Sequence, residues 1–217
     1  MEIKEILSHV DHTLLKPEAT GQQLIKLCNE ALKFNTASVC INPKFIPLAV
    51  SVLGDKIPVC TVIGFPLGAM TLEAKVFEAR DAIAKGAREI DMVISIGDVK
   101  DGKFDNVKAE IAAVKNAIGN HILKVIIETC LLTDDEKRRL CHIVEEAGAD
   151  YIKTSTGFST GGATPHDIEL FAKEIGGKIK IKAAGGIKTR EDMELFLKLG
   201  ADRLGSSSAI KILTAEV

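Results

Sequence analysis

Short apolar runs alternate with longer stretches whose apolar residues recur every three or four positions, from residue 8 nearly to the end of the chain. The runs read as strands and the periodic stretches as helices. Residues 10–15 form a first strand closed by Lys16-Pro17. Thr20 is placed to cap a helix to about Phe34, in which Leu24, Leu27, Cys28, Ala31 and Leu32 share a face. Strands follow at 37–41 and 57–63, with a helix at 44–53 between them and another at 71–85 that stops at Gly86. The second half keeps the rhythm, with strands at 89–95, 123–128, 151–153, 179–183 and 202–204. Its helices cover 107–118, about 133–148, 165–175 and 191–199, and a last one opens over 206–212. Thr133 and Glu136 have the spacing of a capping box, and Pro165 suits a first helical turn.

Eight strands alternating with helices predict an α/β fold, a (β/α)₈ TIM barrel formed as a single domain over residues 1–217. No linker, charge block or low-complexity segment divides the chain. Gly-Ala recurs between helix and strand at Gly86-Ala87, Gly148-Ala149 and Gly200-Ala201, as if one unit were used repeatedly. An open doubly wound sheet is the alternative, and the lack of a G-x-G-x-x-G after the first strand weighs against it.

Composition narrows the function. With 46% hydrophobic residues, one tyrosine and no tryptophan, the chain can bury a large aliphatic core. A net charge of -2 gives no global reason to expect nucleic acid or an acidic membrane surface as partner. The five cysteines are scattered and form no C-x-x-C pair, so free thiols are expected rather than zinc or a disulfide framework. No run approaches the roughly 18 apolar residues of a membrane span, and the N-terminus carries no apolar leader. A cytoplasmic protein is expected.

Chemistry in a barrel belongs to the C-terminal ends of the strands. Lys153 ends an apolar run and is followed at once by Thr154-Ser155-Thr156-Gly157. Taken alone it reads rather as an ordinary solvated strand-end lysine. Asp91 interrupts the apolar stretch 89–94, and a carboxylate buried there must find cations or several donors. Lys182 precedes Ala183-Ala184-Gly185-Gly186, although its alternation with Lys178 and Lys180 also fits a solvated face. Gly185-Gly186 and Gly205-Ser206-Ser207-Ser208 leave backbone N–H groups open to a phosphate at two neighbouring strand ends. Two adjacent lysines disfavour each other's protonation, which suits an amine that attacks a carbonyl, and Asp91 is placed to relay protons. The combination points to Schiff-base chemistry on a phosphorylated aldehyde or ketone.

The residues also resemble the 2-deoxyribose-5-phosphate aldolase family, class I aldolases on a (β/α)₈ barrel. The resemblance is carried by residues 11–17, 89–94, 125–129, 152–158, 182–186 and 205–207, and so spans nearly the whole chain. It implies an aldehyde-lyase that reversibly cleaves 2-deoxy-D-ribose 5-phosphate to D-glyceraldehyde 3-phosphate and acetaldehyde, without metal or organic cofactor. Lys153 would be the Schiff-base nucleophile, with Asp91 and Lys182 as proton donor and acceptor and a water held between those two. Gly157, Gly185, Gly186, Lys188, Gly205, Ser206 and Ser207 would bind the phosphate. Members usually associate as homo-oligomers, so a dimer or tetramer is expected. Ser95 and Ser206 stand where asparagine and alanine are common. Longer members carry a tail tyrosine that has no counterpart here, where the last residue is Val217 and the only tyrosine is Tyr151. Cys40 is expected as a buried small hydrophobe, with the pocket as its alternative, and Asp11-His12 as shaping the barrel floor or the substrate pocket. Another Schiff-base barrel aldolase acting on a longer sugar phosphate, or a phosphate-binding barrel without catalysis, remain the competing readings.

Overall fold

A computed structural model describes residues 1–215; Val217, at which the comparison with tailed relatives ends, lies outside them. The elements run in order as α1 Ile3–Ser8, β1 Val10–Leu14, α2 Gly21–Phe34, β2 Ser38–Ile41, α3 Ile46–Leu53, β3 Val59–Ile63 and α4 Leu72–Ala84. They continue as β4 Glu89–Val93, α5 Ile96–Lys100, α6 Phe104–Ile118, β5 Ile122–Ile126, α7 Asp134–Glu146 and β6 Tyr151–Lys153. The chain then completes α8 Pro165–Ile175, β7 Lys180–Ala184, α9 Arg190–Lys198, β8 Arg203–Ser206 and α10 Ala209–Thr214. The strands are parallel and close in sequence order, β8 pairing with β1, which excludes the open doubly wound sheet. Among the described residues, no helix is long and apolar enough to cross a membrane.

Local chemistry accounts for most boundaries. Thr20 and Gln23 cap α2 reciprocally, and Thr133 and Glu136 do the same for α7, each side chain meeting the other's backbone N–H. The repeated glycines Gly86, Gly148 and Gly200 all take positive φ, which lets each helix turn straight into the next strand. Three expectations shift. Strand β4 ends at Val93, because Ser95 turns outward to give its N–H to Glu110 and start α5, a helix too short for its periodicity to register. Ser206 belongs to β8 rather than to the last helix, because it pairs in register with His12 of β1. Helix α1, also short, lies ahead of the first periodic stretch.

Alternation along each strand separates two environments. Residues such as Val39, Ile41, Ile90, Met92, Leu123, Val125, Ile152 and Leu204 join one large apolar core with the helices. The opposite faces line the barrel interior, where the apolar cluster is small, comprising Leu15, Cys40, Cys60 and Val62 with Phe65 against it. The rest of the interior is charged. Aliphatic side chains usually fill this space in layers.

One ion pair stands outside the interior and braces its wall. Lys75 of α4 is wholly buried and donates to the Val93 carbonyl at 2.8 Å and to Glu110 of α6. The other Glu110 oxygen holds the Ser95 N–H. Burial pushes the Glu110 carboxyl above its ordinary range, more than Lys75 and the Ser95 N–H draw it down. Removing only one partner strands a buried charge. Lys75→Met should therefore lower unfolding free energy by about 3–5 kcal/mol, and pairing it with Glu110→Leu should recover a substantial part, both read from urea denaturation.

Candidate active site

The interior charges assemble because of strand register. Parallel pairing sets Asp91 opposite Lys124, Lys153 opposite Lys182, and Lys182 opposite Arg203. Asp91 Oδ2 accepts from both Lys153 Nζ and Lys182 Nζ at 2.7 Å. Its Oδ1 accepts from Lys124 Nζ at 2.9 Å and from the Cys60 thiol at 3.1 Å. Lys182 also donates to Asp11 Oδ2 at 2.5 Å. Asp11 Oδ1 accepts from Ser38 Oγ at 2.7 Å and Arg203 Nη1 at 2.6 Å. Lys124 reaches Glu89 at 2.6 Å, and Arg203 lies over the Tyr151 ring with its guanidinium 5.6 Å from the centroid. Three carboxylates thus face four cations.

Burial would raise the carboxyl groups and lower the ammoniums, yet the charges decide the outcome. Lys124, Lys153 and Lys182 together overcome burial and hold Asp91 well below the usual carboxylate range. Lys182, Lys124 and Arg203 do the same for Asp11. Burial works against the Lys182 ammonium, but Asp11 and Asp91 hold it above the ordinary lysine value, and Lys124 behaves alike beside Asp91. Lys182 is therefore a cation and Asp91 an anion in the resting site.

A cavity of about 390 Å³ opens above this cluster, at the C-terminal ends of the strands. Four segments line it: Thr13 to Lys16 across the end of β1, Thr156 to Phe158 after β6, Ala184 to Ile187 across the end of β7, and Gly205 to Ser208 across the end of β8. Lys153 is the only member of the charge cluster that lines it. Asp91 and Lys182 lie beneath, fully buried. Phe158 closes one wall by meeting Phe65 edge-on, with centroids 5.2 Å apart. Gly185 has φ +80, and a Cβ there would stand 3.0 Å from Gly162 Cα and 3.6 Å from Gly157 Cα, so the two glycine loops pack backbone to backbone.

The structure brings together most of the residues singled out from sequence. Lys153, Asp91 and Lys182 converge, and Gly157, Gly185, Gly186, Gly205, Ser206 and Ser207 all line the one cavity. Lys188 does not; it is exposed, and its backbone N–H caps α9 through Asp192. The exposed cation at the cavity mouth is Lys16 instead. The expected water between Asp91 and Lys182 is replaced by direct contact at 2.7 Å. Mutual repulsion of Lys153 and Lys182 is likewise superseded, because the Asp91 oxygen sits between them and Lys182 has a second carboxylate in Asp11. Asp11 and His12 also part company. Asp11 points into the barrel, while His12 points outward to Glu30 of α2 at 2.8 Å. Burial lowers the His12 pKa against the pull of Glu30. Cys40 is buried in the small interior cluster and does not line the cavity. The ligand atoms of Cys40, Cys60 and Asp91 lie within 4.8 Å of one another, but both Asp91 oxygens are already engaged by ammonium groups.

Lys124, Arg203 and Glu89 escaped sequence reading although a signal exists. In Leu123-Lys124-Val125 and Ile152-Lys153-Thr154, as in Ile181-Lys182-Ala183 and Ile90-Asp91-Met92, a charge interrupts an apolar run at an inward position. Reading all strands for that one feature finds Lys124, whereas Glu89 and Arg203 each follow another charge, Arg88 and Asp202, at a strand start and carry no such mark.

Comparison with known proteins gives consistent matches. The model of the DeoC/LacD aldolase family matches residues 6–206. A deoxyribose-phosphate aldolase of Clostridium botulinum (strain Eklund 17B / Type B) is 56% identical, the alignment covering 100% of this chain and 98% of that protein. One from Clostridioides difficile (strain 630) is 53% identical over 99% and 98%. Among solved structures, an aldolase called QR15 superposes with a TM-score of 0.94 at 36% identity, covering 98% of this chain and 96% of the other. The deoxyribose phosphate aldolase of Aeropyrum pernix, described as a tetramer, gives 0.89 at 32% identity over 99% and 92%.

The electrostatics carry a pH signature. Stability added by Asp11 and Asp91 is complete above an ordinary aspartate pKa of roughly 4 and is lost as pH falls through their depressed folded values. Stability added by Lys124 and Lys182 is complete below roughly 10.4 and is lost as pH rises through their raised values. Asp11→Asn should cost about 3–5 kcal/mol at pH 7 by leaving Arg203 and Lys182 under-compensated. Its stability should also fall less steeply than that of the native chain from about pH 4 to pH 2. Denaturant melts at stepped pH measure both.

Proposed function

The chain belongs to the DeoC/LacD family of aldolases, and from that premise we propose that it reversibly cleaves 2-deoxy-D-ribose 5-phosphate to D-glyceraldehyde 3-phosphate and acetaldehyde. The observation that carries the reading is Lys153: a lysine at a strand end, bound to a buried carboxylate, and alone among the interior charges in reaching the cavity. In its free-base form Lys153 attacks C1 of the open-chain sugar and gives a carbinolamine. Loss of water leaves a protonated imine, whose positive nitrogen accepts the electron pair of the C2–C3 bond as that bond breaks. The C3 hydroxyl loses its proton to a base and becomes the aldehyde of glyceraldehyde 3-phosphate. Protonation of the enamine at C2 restores the iminium, and hydrolysis frees acetaldehyde and Lys153. The imine itself is the electron sink, so the reaction needs neither a metal nor an organic cofactor.

Asp91 and Lys182 serve as the proton donor and acceptor pair. One Asp91 oxygen contacts both lysines, which supports a continuous path from the reacting nitrogen to the Lys182 ammonium. That cation also favours developing negative charge on substrate oxygens. The phosphate occupies the glycine-lined end of the cavity, held by N–H and hydroxyl groups of Gly157, Gly185, Gly186, Gly205, Ser206 and Ser207. Lys16 supplies the charge there that sequence reading gave to Lys188, because it stands at the same mouth. The five free thiols suit the reducing cytoplasm, and the tetramer described for the Aeropyrum pernix relative supports a homo-oligomer.

Borohydride reduction in the presence of acetaldehyde should leave a two-carbon adduct on Lys153, located by peptide mass mapping. An adduct on another lysine, or none, refutes the assignment. Lys182→Leu should lower turnover by about a hundredfold or more, measured by the glyceraldehyde 3-phosphate released; turnover within a few-fold of the native enzyme would remove its role.

A further inference from the structure

Among the described residues, only Asn35 and Glu128 combine a side chain with positive φ. Asn35 terminates α2, where asparagine tolerates this conformation well. Glu128 has no such excuse. It lies two residues past β5 with φ 56° and ψ 67°, and its carboxylate is buried. No lysine or arginine among the described residues pairs with it. A long side chain held in the left-handed region, with its charge buried, persists only where surrounding contacts enforce it, and such outliers gather at functional sites.

The contacts of the carboxylate all go to one residue. The Thr156 N–H donates to Glu128 Oε1 at 3.2 Å and approaches Oε2 at 3.4 Å, and the Thr156 hydroxyl donates to Oε2 at 2.5 Å. The same hydroxyl accepts the Phe158 N–H at 3.0 Å. Between them Gly157 turns the chain at φ +82. Backbone bonds from Ile127 to the Lys153 carbonyl and from Thr129 to that of Thr154 keep the β5 and β6 ends side by side. Thr156, Gly157 and Phe158 all line the cavity, and Gly157 stacks against Gly185 of the opposite loop.

We propose that Glu128 is a positioning residue for phosphate recognition: its left-handed backbone and carboxylate fix Thr156, and Thr156 sets the Gly157–Phe158 wall of the glycine-lined end. The inference rests on the reading that Lys153 forms the Schiff base with a phosphorylated sugar. A carboxylate suits the position because it offers a separate acceptor oxygen to the N–H and to the hydroxyl of Thr156. The amide of a glutamine turns an N–H donor toward one of them.

The test compares kcat/KM for 2-deoxyribose 5-phosphate with that for unphosphorylated 2-deoxyribose. Glu128→Gln and Thr156→Val should each lower the preference for the phosphorylated sugar by about tenfold, chiefly through KM. The double variant should lose clearly less than the product of the two single losses, because both changes break the hydroxyl–carboxylate contact. Thr156→Ser, which keeps the hydroxyl, should stay within about threefold of the native preference. A preference within twofold of native in Glu128→Gln, or losses that multiply in the double variant, would overturn the proposal. Should Glu128→Gln melt below the assay temperature, the contrast of Thr156→Val with Thr156→Ser decides on the same terms. Acetaldehyde trapping on native Lys153 separates the two readings: its failure refutes the Schiff base, whereas trapping with an unchanged preference refutes only the role of Glu128.

Discussion

One carboxylate governs the interior of this barrel. Both oxygens of Asp91 are engaged by ammonium groups, and its full burial leaves those charges little screened. A lone buried carboxylate would be too costly to ionise, and lone buried lysines equally so. Together with Asp11 and Glu89 they stabilise one another, and Arg203 over Tyr151 completes the lower layer. With every group ionised, four cations meet three anions, so the cluster carries one positive charge in excess. Lys153 alone among the four reaches the cavity. A protonated imine on Lys153 carries the same single positive charge as an ammonium there, so the surrounding charges accommodate it without rearrangement.

That arrangement constrains the rest of the fold. Hydrogen bonds of 2.5 to 2.9 Å tolerate little drift between strands, so the register pairing Lys153 with Lys182 and Asp91 with Lys124 must hold firmly. The means lie outside the sheet. The outward faces of the strands are apolar and pack with the helices in one continuous core, which removes any cost of slippage-prone polar surfaces. Lys75 and Glu110 then tie α4 and α6 to the end of β4, just beyond Asp91. The hydrophobic layer supplies the stability, and the ionic interior uses it.

How far this was legible in the sequence follows from the range of each interaction. Periodicity located the helices and strands because burial of one face is a local, repeating demand. The capping box of Thr133 with Glu136 and Pro165 at a helix start could be read because each is local, a pair three residues apart in one case and a single ring in the other. Lys153, Asp91 and Lys182 could be found because motif and resemblance agreed. What escaped were contacts between distant segments. Lys182 meets Asp11 across 171 positions, and only the closed sheet makes them neighbours. Lys188 looked like a phosphate ligand by its place after Gly185-Gly186, but the chain has by then turned into the cap of α9. His12 was grouped with Asp11 by adjacency, whereas alternation along a strand sends the two to opposite faces.

Glu128 shows the same limit at a finer scale. Residues 123–128 read as one apolar strand ending in a carboxylate, and nothing in that run announces a left-handed turn. The ladder stops at Ile126, and the backbone reverses its sense at Glu128 because Thr156, on the neighbouring strand end, draws the carboxylate inward. The site is thus held in two different ways. Lys153 is fixed from below by charge, through contacts that would fail if any partner were lost. The cavity wall beside it is fixed from the flank by a strained backbone and by the Glu128 carboxylate, which holds Thr156 and touches none of the interior charges. Separating the two lets the wall be shaped for a substrate without disturbing the electrostatics on which the nucleophile depends.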